Sequence, residues 1–197
     1  ANILNDLIDI KADRINKPSR ILVQHHINPQ VLVTLIIILF IIGTVCASYL
    51  PIKATQIALF IALPGILLYE LILKRIPLLG NIIISLLVGI VFVFVSYSLD
   101  SHIYDAFKIM LLAFSLNLIR EIVKDIQDIK GDQASGLNTL PIVIGIPQTA
   151  LFTRCLACIF IVISFSPMYI DLYSWQYIPL MVFLIHLPLL YIIIGLK

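Results

Sequence analysis

The chain has 197 residues, 61% of them hydrophobic and only 12% charged, with a formal net charge of +2. A water-soluble fold of this size cannot keep so much apolar surface beneath a mostly polar exterior, so the composition excludes a soluble domain and points to lipid as the solvent. The 13 Lys and Arg residues are scattered rather than gathered in a patch, which excludes nucleic acid as a partner.

In chain order, residues Ala1–Arg20 are polar, but their acids recur at helical spacing, so they read as the end of a helix. A membrane-spanning helix needs about 20 predominantly apolar residues. By that rule the spans are Val31–Leu50, Thr55–Leu73, Asn81–Leu99, Ile103–Lys124, Gln148–Ser166 and Tyr177–Leu196. The fourth turns polar toward its C-terminal end. Pro64 and Pro188 are expected to kink their helices, which membrane helices tolerate. Cys46, Cys155 and Cys158 all lie in apolar stretches and read as inert packing residues; no second ligand pair stands near Cys155 and Cys158 to make a metal or redox motif. The expected fold is all-α, a polytopic transmembrane helix bundle forming one domain over residues 1–197. The chain opens on Ala1-Asn2-Ile3 and stops at Lys197 directly after an apolar helix, so truncation at both ends is expected.

Lys and Arg set the orientation. One group of connections holds Lys11, Arg14, Lys17 and Arg20, then Lys74 and Arg75, then Lys124 and Lys130. The other holds Lys53, His102 near Asp100, and no basic residue in Pro167–Gln176. Six spans alternate between the two sets, and the basic side reads as cytoplasmic. That side also carries nearly all the acids.

Six of the 11 acids sit in two short runs. In the first, Asn5, Asp9 and Asp13 are spaced i, i+4, i+8. In the second, Asp125, Asp128 and Asp132 are spaced i, i+3, i+7. Each set falls on one stripe of a helix. Two carboxylates ~6 Å apart repel by roughly 3 kcal/mol at an effective dielectric of 20, so such stripes call for cations between them. A solvated charged face beside the membrane would explain one run; two runs on the same side favour a metal site. Oxygen donors without His or Cys select a hard cation, and Mg2+ suits carboxylates combined with substrate phosphates. Lys17 and Arg20, Lys74 and Arg75, and Arg120 and Lys124 supply positive charge for an anionic leaving group.

With their flanks, the two runs resemble a known family. Asn5-Asp6-x-x-Asp9-x-x-x-Asp13-Arg14-x-Asn16-Lys17-Pro18-x-Arg20 is similar to the first signature of the UbiA superfamily of intramembrane prenyltransferases. Arg120-Glu121-x-x-Lys124-Asp125-x-x-Asp128-x-x-Gly131-Asp132-x-x-x-Gly136-x-x-Thr139-Leu140-Pro141 is similar to the second. The stretch from Tyr69 through Lys74-Arg75 to Gly80-Asn81 looks like the family's Tyr/Lys loop. The resemblance implies a bundle of about nine membrane helices round a central cavity, of which the first, most of the second and a last one would be missing here. It implies one Mg2+ held by Asn5, Asp9 and Asp13 and another by Asp125, Asp128 and Asp132. Lys17, Arg20, Lys74 and Lys124 would bind the diphosphate of a prenyl donor, with Tyr69, Asn81 and Arg120 completing the substrate site. Asp9, Asp13, Asp128, Asp132 and Lys124 would carry the catalysis. A lipophilic acceptor would capture the allylic cation, in the membrane and on the cytoplasmic side. Asn16-Lys17-Pro18, Lys74 through Leu78 and Asp128 through Asp132 look most like the branch making archaeal-type ether lipids, whose acceptor is geranylgeranylglyceryl phosphate. After Arg20, however, the usual Pro-Ser-Gly-like turn is replaced by Ile21-Leu22-Val23-Gln24-His25-His26, and the His pair reads as solvated.

The rival acceptors are aromatic, as in quinone biosynthesis, or haem. Outside enzymes, a cation transporter would also place acids in a membrane protein. Transport acids sit near the midplane on broken helices, whereas these sit at one interface.

Overall fold

The computed structural model describes residues 2–24, 27–169 and 173–196, and every regular element among them is helical. His25 and His26 lie outside the described residues. Two short helices open the chain, α1 (Asn2–Ile8) and α2 (Ile10–Asn16). They are followed by α3 (Pro29–Ser48), α4 (Ile52–Gln56) and α5 (Leu63–Leu71), then α6 (Leu79–Ser98) and the 32-residue α7 (Ile103–Ala134). Next come α8 (Leu140–Ile144), α9 (Ile146–Ile163), α10 (Ser166–Tyr169), α11 (Tyr177–Met181) and α12 (Leu187–Gly195).

Five helical stretches are long and apolar enough to cross a membrane: Pro29–Ser48, Ile52–Leu71, Leu79–Ser98, Ile146–Met168 and Tyr177–Gly195. These correspond to five of the six expected spans. The first begins two residues earlier than hydropathy suggests, because Asn28 accepts a hydrogen bond from the Gln30 N–H at 2.9 Å and Pro29 supplies the first helical position. The remaining expected span, Ile103–Lys124, is the first part of α7. At about 1.5 Å per residue α7 is long enough to cross and to project beyond a bilayer, but its charged second half makes it too polar to qualify on composition. The lipid character is plainest in α3, where only 11% of the apolar window is buried inside the protein. Among the described residues nothing covers its outward Ile, Leu and Val side chains, as suits a helix set in hydrocarbon.

The prolines leave their helices continuous, each preceded by a widened π turn, Ile57–Ala62 before Pro64 and Val182–His186 before Pro188. A proline ring collides with the carbonyl four residues back, here Phe60 and Leu184. Both carbonyls fall inside the widened turns, where an extra residue relieves the clash. In the second π turn, buried His186 bonds Ser164 Oγ at 2.8 Å, and the Tyr177 hydroxyl donates to the Ser164 carbonyl at 2.9 Å.

The centre of the bundle is α7. Helix α6 lies along it so closely that a Cβ on Gly89 would sit 2.8 Å from the Met110 carbonyl oxygen, a small-residue contact of the kind that joins membrane helices. Ile119 and Val123 of α7 pack with Ala150, Ala157 and Phe160 of α9 and with Leu189 and Ile193 of α12. Arg154, which lies inside the fifth expected span, donates through Nε to the Ile193 carbonyl at 3.2 Å and through Nη2 to that of Leu196, satisfying acceptors at the end of α12. The cysteines differ from the packing role expected of them: all three are free and exposed.

Candidate active site

One end of the bundle gathers the charged residues. The chain bends at Asp9 (φ −91°, ψ 9°), which separates α1 from α2. The helical ladder nevertheless persists, since Asp9 N–H donates to the Asn5 carbonyl and Asp13 N–H to that of Asp9, both at 2.8 Å. Asn5, Asp9 and Asp13 therefore keep a common face. Helix α7 runs unbroken to Ala134, so Asp125, Asp128 and Asp132 share a face as their spacing requires. Between α5 and α6, a turn of 3-10 helix at Leu73–Arg75 and a left-handed Leu78 (φ 63°) return the chain and deliver Lys74 to the same place. A non-glycine residue in that conformation is strained, which is common next to functional sites.

The two acidic rows meet across one cavity of about 70 Å³. Asn5, Asp9, Asp13, Lys17, Arg20, Tyr69, Lys74, Lys124, Asp125, Asp128 and Asp132 line it, joined by Ala12, Asn16, Leu137 and Thr139. Two residues expected in the site stand outside this lining. Asn81 is one layer behind, donating its side-chain N–H to Asp125 Oδ2 at 2.8 Å. Arg120 faces an adjoining polar cavity of about 500 Å³, which also takes in Asn5, Lys17, Arg20, Lys124 and Asp128. Arg120, Lys124 and Gln127 in turn rim an apolar groove of about 430 Å³ between α7 and α12, lined by Leu116, Ile119, Val123, Leu184, Pro188, Leu189 and Ile192. Acidic cavity, basic cavity and apolar groove thus adjoin through shared residues.

Asp6, Asp9, Asp13 and Asp128 are paired with cations. Lys17 Nζ lies 2.9 Å from Asp128 Oδ2, and Arg20 Nη1 lies 2.5 Å from Asp13 Oδ2 and 2.7 Å from Asp6 Oδ1. Lys74 Nζ is held between Asp9 Oδ1 at 2.6 Å and Glu70 Oε2 at 3.3 Å. Glu121 pairs with Arg120 and, at 3.7 Å, with Lys124. Among the described residues no three His, Cys, Asp or Glu side chains converge closely enough to form a metal cage as they stand. The donor chemistry nonetheless fits a hard divalent cation: five carboxylates and two Asn amides, with neither His nor Cys among the described residues that line the cavity. Thr139 fits as well, because its hydroxyl is buried at this cavity with no hydrogen-bond partner among the described residues.

Burial dominates the protonation of the row beyond the α7 span. It pushes the Asp125 carboxyl up to about 7, with Asp132 and Glu121 adding to the rise and the Asn81 hydrogen bond opposing it. Burial, then the charges of Asp128 and Asp9, raise Asp132 to about 6 against the pull of Lys124 and Lys17. Asp13 is also raised by burial, in opposition to Arg20. Carboxyls in this condition are poorly solvated anions, and added positive charge would relieve them.

Sequence reasoning missed four residues here: Glu70, Glu121, Asn16 and Thr139. Glu70 and Glu121 are 3% and 6% exposed, nearly the full burial that acids avoid unless paired. Each had a signal in the spacing, Glu70 four before Lys74 and Glu121 four before Asp125. Asn16 and Thr139 stand within the recognised motifs, but nothing in their spacing marks a role.

A family model described as the UbiA prenyltransferase family matches residues 1–197. A digeranylgeranylglyceryl phosphate synthase of Halobacterium salinarum is 34% identical over 181 residues, covering 90% of this chain and 63% of the relative. The synthase of the same description from Methanopyrus kandleri is 33% identical over 181 residues, 91% of this chain and 65% of its own length. That from Sulfurisphaera tokodaii is 35% identical over 167 residues, 84% and 60%. The chain thus spans somewhat less than two thirds of these relatives. A solved structure from work on digeranylgeranylglyceryl phosphate synthase in membranes superposes with a TM-score of 0.70 at 30% identity, over 98% of this chain and 68% of that one.

Proposed function

Because this chain belongs to the UbiA prenyltransferase family, we propose that it serves to move a geranylgeranyl group from its diphosphate to geranylgeranylglyceryl phosphate, a step of ether-lipid synthesis. The observation that carries this reading is the meeting of two acidic rows, more than a hundred residues apart in sequence, across one cation-studded cavity that adjoins an apolar groove. Relatives described as digeranylgeranylglyceryl phosphate synthase support the choice of acceptor.

In this reading Asn5, Asp9 and Asp13 on one side would hold one Mg2+, and Asp125, Asp128 and Asp132 on the other would hold a second. When bound, these ions would supply positive charge to the diphosphate as its bond to the prenyl carbon breaks. Lys17, Arg20, Lys74 and Lys124 turn from their present carboxylate partners to the diphosphate oxygens and hold the leaving group in place. Tyr69 borders the same space, and Asn81 fixes the Asp125 carboxylate from behind. The apolar groove takes the isoprenoid tail and keeps water from the allylic cation. The acceptor hydroxyl oxygen forms the new bond to that carbon, the departing diphosphate keeps the electron pair of the broken bond, and the anionic cavity takes up the hydroxyl proton. The basic end of the bundle, with Lys11, Arg14, Lys17, Arg20, Lys74 and Lys130, faces the cytoplasm by the positive-inside rule.

The test is an assay of the full-length protein in membranes, with labelled geranylgeranyl diphosphate and a panel of glycerol-phosphate and aromatic acceptors, products identified by mass. Labelled diether phosphate that disappears with EDTA, and with Asp9→Ala or Asp128→Ala, is the expected result. Transfer to an aromatic acceptor alone would overturn the acceptor, and full turnover in EDTA would overturn the metal.

A further inference from the structure

The two acidic helices approach closely at an uncharged residue of the second, Gly131. Gly131 of α7 lies so near α2 that a Cβ there would meet Asn16 Nδ2 at 2.3 Å and the Ala12 carbonyl oxygen at 2.7 Å. Asn16 fills this contact with both ends of its amide. Its Nδ2 donates to the Asp128 carbonyl at 2.8 Å, and its Oδ1 accepts from the Gly131 N–H at 3.0 Å. The bonds join positions 112 and 115 residues apart and land on the backbone between Asp128 and Asp132, the row that faces the cavity.

The neighbouring contact between these helices is of another kind. Lys17 and Asp128 form an ion pair, and both partners are wanted elsewhere once ligands arrive: a divalent cation competes for the carboxylate, and a phosphate competes for the ammonium. Arg20 with Asp13 and Lys74 with Asp9 face the same competition. During that exchange the carboxylate rows would be free to drift apart under their mutual repulsion. Asn16 is neutral and its partners are peptide groups, so neither cation nor phosphate draws its bonds away. Resting on the prenyl-transfer reading, we propose that Asn16 is a positioning residue: it latches the first acidic helix to the second and keeps their carboxylates in register while the ion pairs re-partner.

The experiment uses the full-length protein and Mn2+ as the metal probe, titrated by electron paramagnetic resonance without substrate. Asn16→Ala is expected to weaken Mn2+ binding about ten-fold or more, the size typical of lost outer contacts at a metal site. The Mg2+ concentration for half-maximal transfer should rise in parallel, with kcat at saturating metal falling less. A merely structural role would lower the melting temperature and leave the Mn2+ affinity of the folded protein alone, so an affinity within about two-fold of the unaltered protein overturns the proposal. Asn16→Ser, smaller but still polar, is titrated in the same way if Asn16→Ala does not fold. Should the unaltered protein neither bind Mn2+ nor transfer prenyl groups, the prenyl-transfer reading itself fails. If it does both and the variants match it, only the latch fails.

Discussion

Asn81 stands behind Asp125, its side-chain N–H donating to the carboxylate at 2.8 Å from the first turn of α6. Asn81 is itself buried, and beneath it the Ser85 hydroxyl donates to its carbonyl at 2.6 Å while Asn117 donates to Ser85 Oγ at 3.2 Å. A short polar ladder thus descends between α6 and α7 from the cavity floor and fixes one face of an acid that burial would otherwise hold neutral.

This arrangement gives a prediction of definite sign. The Asn81 bond lowers the Asp125 pKa against the effect of burial, which leaves it at about 7. Asn81→Leu removes the bond and raises that pKa further, so protons compete more strongly with a divalent cation. The acid limb of the Mn2+-affinity profile should move to higher pH, with binding at pH 7 weakened about ten-fold. An unmoved acid limb would show that the ladder does not tune the site.

The same shifts predict how stability depends on pH. Asp125 and Asp132 start from 3.8 and reach about 7 and about 6 in the folded protein. Their folded values lie above the unfolded ones, so the folded state holds these protons more tightly. The resulting stabilisation is complete below about pH 4 and is lost as pH rises through 6 to 7. In EDTA, the melting temperature should therefore fall by about 5 °C between pH 5.5 and pH 8. Added Mg2+ should raise it more at pH 8 than at pH 5.5, because the ion binds the deprotonated acids. Parallel melting curves at the two pH values, with and without Mg2+, would contradict the assignment.

Glu70 and Lys74 offer a stability test in the metal-free protein. Both are buried, at 4% and 7% side-chain exposure, and Lys74 is shared with Asp9. Removing Glu70 still leaves Lys74 its Asp9 partner at 2.6 Å, so the loss is smaller than for a buried pair broken outright. Glu70→Ala should cost about 2–3 kcal/mol, and Glu70→Gln, which can still accept a hydrogen bond, about half of that. Thermal unfolding in a fixed detergent measures both; equal losses would mean that shape rather than charge matters here.

What could be read from the sequence followed from periodicity. Five spans show in hydropathy because lipid selects composition along a whole helix, and both acidic stripes show because i, i+3 and i+4 spacing fixes a face. The bend at Asp9 is invisible in that pattern, and it leaves the stripe intact only because the Asn5 and Asp9 carbonyls keep their partners across it. Arg120 falls on the helix of the second stripe, yet a helix turns 100° per residue, so it faces the adjoining cavity while Glu121 points inward. The pairing of Lys17 with Asp128 joins residues 111 positions apart, a choice among cations that depends on how helices dock. Asn16 was least legible, because its role rests on the backbone of another helix.

Thr139 supplies the last prediction. It precedes the first turn of α8, where a threonine commonly caps the helix, but its hydroxyl makes no capping bond and is buried at the acidic cavity without a partner among the described residues. An unsatisfied buried hydroxyl costs roughly 1–3 kcal/mol, so Thr139→Val, equal in shape, should raise the stability of the ligand-free protein by about 1 kcal/mol. If the cavity takes a diphosphate and its cation, the hydroxyl gains a partner on binding, and the same substitution should raise the donor KM several-fold, about 1 kcal/mol of lost hydrogen bonding. Stability and affinity then move in opposite directions in one variant. A substitution that merely disturbed packing would lower both, and one that altered neither would show that the hydroxyl is satisfied by water in every state.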